Sequence, residues 1–198
     1  MQFETILSLG PTCRAKYQII RIFGKQRSPS GVFDWQATPY RAVRFYLDND
    51  FRDTFNREDL VAINGRVKHR KLHTSHLHAF PEGITDAEID VYYPQARARH
   101  DHLCEKTRAV LRCREPVLIC LGRHIKVTRW LRLAIAIRRY APGLRFKLLA
   151  GPLGDLPDDD VCWQGRHDLW DRHLSPYSSA TYKLARPGSF PRSAASMD

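Results

Sequence analysis

At 198 residues the chain has room for one well-packed core and too little for two comfortable domains. Hydrophobic residues at 43% and charged residues at 27% exclude a disordered or fibrous chain, and nothing approaches the run of about 18 apolar residues that spans a bilayer. The formal net charge of +11 favours polyanions, acidic proteins or anionic surfaces as partners without choosing among them.

The start, MQFETILSLGP, carries no basic stretch before its apolar segment, which argues against secretion. The five cysteines, Cys13, Cys104, Cys113, Cys120 and Cys162, contain no CxxC pair, so neither a disulfide framework nor a zinc ribbon is indicated. Reduced thiols in the cytoplasm are the expectation, with no metal and no cofactor implied.

In chain order, Thr5 to Gly10 reads as a short buried strand stopped by Gly10-Pro11, since proline cannot continue a central ladder. Thr12 can cap a helix whose apolar stripe is Cys13, Tyr17, Ile20 and Phe23, with Gly24 as its stop. After a Ser/Pro/Gly-rich stretch comes the aromatic patch Val32-Phe33-Asp34-Trp35. A second helix starts at Thr38-Pro39, presents Val43, Tyr46 and Leu47 on one face and ends near Asp48. Residues 51 to 92 give loops and short strands, with His69, His73, His76 and His78 clustered among them. A helix is expected from Pro94 with Ala96, His100, Leu103, Thr107 and Val110 on one stripe.

Val117 to Gly122 is an uninterrupted apolar run, the pattern of a strand buried on both faces in a parallel sheet. A helix over Val127 to Tyr140 and a strand over Phe146 to Gly151 complete a βαβ unit. A short strand at Val161-Cys162-Trp163 and a last helix from Asp168 to Leu174 follow. The fold class is thus α/β, a mostly parallel central sheet with helices on both faces, as a single domain over residues 1–175. A disordered tail is expected over 176–198.

In open α/β sheets reactive groups gather at the carboxyl ends of strands. Cys13 falls there, in the first turn of a helix, whose unpaired N–H groups stabilise thiolate. The competing reading is that Cys13 simply packs, as most free cysteines do. Gly10 would permit the close turn, and the N–H groups of Thr12 and Cys13 could hold an oxyanion.

Two stretches resemble a known family. Ser8-Leu9-Gly10-Pro11-Thr12-Cys13 and Ser30-Gly31-Val32-Phe33-Asp34-Trp35 are similar to the paired SLGxxC and SxPFDW motifs of the DUF1796 family, described as papain-like cysteine peptidases. His78-Ala79-Phe80 stands where that family carries His-Asp-Phe, and Trp163-Gln164-Gly165 with Trp170 is similar to its closing segment. Val32 replaces the family's proline and Ala79 its aspartate. The resemblance implies a thiol site in which Cys13 attacks and a histidine moves the proton, in a hydrolase or acyltransferase acting on an acyl or peptide substrate.

His78 is the expected partner of Cys13. His76 would share its face on a strand and is the alternative, whereas His73 would not. Asp34, between two large aromatics, could orient the histidine, cap a loop or pair with an arginine. Trp35 and Phe33 suit the core better than substrate stacking, although Trp35 and His76 are both candidates for touching substrate. A sheet like that of the SGNH hydrolases fits as well, but Asp168, Asp171 and His173 lack the Asp-x-x-His spacing, which leaves His173 as a reserve partner.

Two basic runs, Arg66, Lys68, Arg70, Lys71 and Arg129, Arg132, Arg138, Arg139, read as solvated faces or as a surface for an anionic substrate or carrier. No nucleic-acid recognition motif accompanies them. A polyanion-binding or non-catalytic interaction domain is therefore the rival to the enzyme.

Overall fold

The computed structural model describes residues 3–157 and 162–177. Three parallel strands, β1 (Thr5–Ser8), β4 (Val117–Cys120) and β5 (Phe146–Leu149), form the central sheet in the order β1-β4-β5. The remaining strands, β2 (Leu60–Ile63) and β3 (Arg66–His69), make a separate antiparallel hairpin. The helices are α1 (Arg14–Phe23), α2 (Tyr40–Asp48), α3 (Ile89–Leu111), α4 (Val127–Tyr140) and α5 (His167–Leu174).

Strand alternation decides which helices lie on which face. Leu7, Leu9, Val117, Ile119 and Leu121 point to one side and pack with Val43, Tyr46 and Leu47 of α2, Cys104 and Leu111 of α3, and Leu133 and Ile137 of α4. Ile6, Leu118 and Cys120 point to the other and meet Ile19 and Phe23 of α1 and Trp170 and Leu174 of α5. Covered on both faces, β4 has no position free for a polar residue, hence its four consecutive buried apolar residues. A third cluster, Phe55, Leu60, Val67, Phe80 and Ile84, joins the hairpin to Ile89 and Ala96 of α3. Among the described residues no helix is long and apolar enough to cross a membrane.

Three expectations change. Helix α1 begins at Arg14 with Cys13, not Thr12, in the capping position, and half of its buried positions are polar: Arg14, Lys16 and Gln18. Helix α3 starts at Ile89, ahead of Pro94, because Thr85 and Glu88 close a reciprocal capping box around a single 3-10 turn. The strand expected at 161–163 is absent where it is described: Cys162 and Trp163 form a turn, and their carbonyls accept hydrogen bonds from Arg14 at 2.7 and 3.0 Å instead of from a neighbouring strand. Val161, and the tail from residue 178, lie outside the described residues.

Candidate functional site at the cysteine turn

The turn after β1 is held from two sides. Gly10, at φ +75°, sends its carbonyl to the N–H of Gly122 just past β4 (2.6 Å), and the Pro11 carbonyl accepts from the N–H of Thr38 (2.6 Å). A side chain at Gly122 would crowd the Gly10 carbonyl and the Ala15 amide at 3.3–3.4 Å, so glycine there lets the two strand ends approach. Cys13 then enters α1, its carbonyl accepting from Tyr17 (2.9 Å). It is half-buried, makes no side-chain capping bond, and no acidic residue occupies the first turn. The thiol therefore stands at the positive end of a ten-residue helix dipole. By contrast Cys104 and Cys120 are buried, and burial pushes both thiols up to about 12.

The segment from Trp35 to Thr38 connects this turn to the histidines. Thr38 bonds to Pro11, and Ala37 exchanges two backbone hydrogen bonds with Ser75, both 2.9 Å. Residues 76–79 are a turn and not a strand, so the two histidines part company. His76 is buried with its ring edge-on to Phe55 (4.6 Å), and burial holds its imidazole well below the usual range. His78 is exposed, its ring edge-on to Trp35 at 5.9 Å. Trp35 is 36% exposed and lines a cleft with Gln36, His76 and His78, whereas Phe33 lies in the core as expected.

Asp34 is fully buried and faces α1. It accepts from the N–H of Gly31 (2.8 Å) and pairs with Lys16 Nζ (3.0 Å), which also donates to both oxygens of Ser28 and to the Pro29 carbonyl. Burial pushes the Asp34 carboxyl up against the opposing pull of Lys16. Asp34 caps the loop at Gly31, and its cation is a lysine of α1, neither the arginine nor the imidazole expected. His173, the reserve partner, is tied to the Ala150 carbonyl at 2.8 Å.

Apolar periodicity alone overlooks the polar residues of this edge. Arg14, 1% exposed, donates to the carbonyls of Leu156, Pro157, Cys162 and Trp163 and reaches Asp155, tying the segment after β5 to the residue beside Cys13. Arg123 and His124, just past β4, share a second cleft with Arg14 and Asp155. Their signal was position: they follow the glycine that ends a buried strand. Among the described residues no group of three His, Cys, Asp or Glu is placed to hold a metal ion. In comparison with known proteins, no family model, curated protein or solved structure matches the chain.

Proposed function

We propose that the protein is a cysteine-dependent hydrolase or acyltransferase in which Cys13 is the nucleophile and His78 its proton partner. The observation that carries this reading is the placement of a half-buried thiol at the N-terminus of α1, on the carboxyl edge of a parallel sheet. The motif resemblance in residues 8–13 and 30–35 supports it, as does the run of backbone bonds from Pro11 through Thr38 and Ala37 to the histidine segment. In the reaction, the thiolate forms a C–S bond to the substrate carbonyl and the imidazolium returns the proton to the leaving group. Water or an acceptor then breaks the thioester, giving hydrolysis or transfer. The net charge of +11 suits an anionic acyl donor or an acidic carrier.

The test is the rate of alkylation of Cys13 by iodoacetamide against pH, read at that residue by mass spectrometry. A midpoint well below about 8.5 is expected. His78→Ala should move it upward, and an equal effect from His124→Ala alone would transfer the partner role to His124. With p-nitrophenyl acetate, wild type should release a stoichiometric burst of nitrophenol that Cys13→Ser lacks. A midpoint at or above 8.5 together with no burst would rule the reading out.

A further inference from the structure

The cleft beside Trp35 contains polar atoms that the protein leaves unsatisfied. His76, 3% exposed, and Gln36, 5% exposed, both line it; His76 Nε2 and Gln36 Nε2 have no partner within hydrogen-bond distance among the described residues, the Gln36 side chain interacting more distantly with the Tyr46 hydroxyl. A buried donor or acceptor left unpaired is destabilising, and a bound group that pairs it recovers that loss. The walls are apolar and aromatic: Phe55 lies behind His76, and Trp35 meets His78 edge-on at the mouth. Arg99 stands exposed at the rim, donating a long bond of 3.4 Å to the His78 carbonyl.

We infer that this cleft binds an aromatic ring bearing a hydroxyl at its inner tip and an anionic group at its outer end. Its volume of about 40 Å³ exceeds the roughly 10–15 Å³ that one water needs and admits a few heavy atoms, the tip of a ring and not a whole cofactor. A hydroxyl fits the inner end because it can accept from the Gln36 amide and can donate to or accept from His76 Nε2, whichever ring nitrogen carries the proton. A carboxylate could neither donate to a neutral imidazole nor be desolvated there cheaply. The outer anionic group would meet the Arg99 guanidinium. The site goes beyond the thiol chemistry, and its binding does not depend on Cys13.

The experiment is calorimetric titration of the full chain with 4-hydroxyphenylacetate and with phenylacetate, which differ only in the hydroxyl. Saturable binding of the first is expected, with the second at least tenfold weaker. Arg99→Ala should weaken both acids alike, and His76→Leu should erase the difference between them. Trp35→Ala, at an exposed position, should weaken both even if His76→Leu fails to fold. In wild type the ¹⁵N shift of the His76 imidazole should move with the hydroxylated acid alone. Equal affinities, an unmoved His76 shift, or no saturable heat with either acid would overturn the proposal, the last leaving a cleft that holds only water. Because binding is read without turnover, its failure leaves the thiol reading standing, and an unreactive Cys13 leaves this one standing.

Discussion

Arg14 and Lys16 show how much a helix can bury that its apolar pattern does not announce. Each is almost wholly enclosed and each saturates its donors, Arg14 on Asp155, Leu156, Pro157, Cys162 and Trp163 and Lys16 on Ser28, Pro29 and Asp34. Removing one partner of such a pair strands the other, so Lys16→Met should destabilise the fold by about 3–5 kcal/mol, read as a lowered urea midpoint. Lys16→Met combined with Asp34→Leu should recover part of that loss, because no uncompensated carboxylate is then left inside. The sequence named Asp34 as needing a partner but could not supply it: Lys16 stands eighteen positions upstream, and charged residues in a helix usually face water. Cys13 was legible because a strand-ending Gly-Pro and a helix meet there. Asp34 and Trp35 were legible as a motif, not as environments, since one proved sealed and the other open.

At the scale of elements, the strands and helices with strong apolar runs were read to within a residue or two: α4 at its observed bounds, α2 and β4 close to theirs. Where local chemistry outweighs hydrophobicity less was legible: short strands are expected between 51 and 92, but not their pairing. The Asn64-Gly65 pair, with φ of +52° and +70°, makes the two-residue turn of the β2–β3 hairpin, a signal present in the letters but lost among alternating charges. Pro94 likewise drew the start of α3 away from its capping box.

The hairpin, the loop after it and α3 enclose three imidazoles, His69, His76 and His100. His100 stacks on Phe55 (4.5 Å) and shares a hydrogen bond with Tyr46 (2.9 Å), while His69 Nδ1 accepts from the Leu72 amide. Burial lowers all three, His100 to about 4. The unfolded chain takes up these protons near pH 6.5 and the folded chain resists them, so stability is full above that pH and falls as acid is added. For His100 the loss should reach roughly 3 kcal/mol by pH 4. Urea midpoints between pH 7.5 and 4 check this, and His76→Leu should flatten the fall. The raised Asp34 carboxyl acts in the opposite sense, taking up a proton more readily folded than unfolded. A midpoint that holds constant to pH 4 would contradict the histidine account.

For the molecule as a whole, the alternation of apolar runs with helical stretches was enough to give a parallel sheet wrapped on both sides. The small size of that sheet, three strands with a detached hairpin among the described residues, was not legible, because a short run such as Val161-Cys162-Trp163 reads as a strand, whereas the carbonyls of Cys162 and Trp163 are taken by Arg14. The three strands end in glycines that let their loops touch: Gly10 against Gly122, and Gly151 against Arg123, where a Cβ would lie 2.7–2.8 Å from backbone atoms. Gly151→Ala should therefore push the 122–124 loop outward and lower the melting temperature by several degrees. If that loop supports the thiol, Cys13 alkylation should change with it; unchanged melting would show that the loops yield freely.

The Arg14 guanidinium ties the turn that carries Cys13 to a distant part of the chain. Its acceptors lie some 140 to 150 positions downstream, so a proteolytic nick or truncation ahead of Asp155 would withdraw the anchors of the residue adjoining Cys13 without touching the first helix itself. The start of the first helix and residues 155–157, 162 and 163 are thus mechanically linked, and a cut ahead of Asp155 should loosen the turn at Cys13.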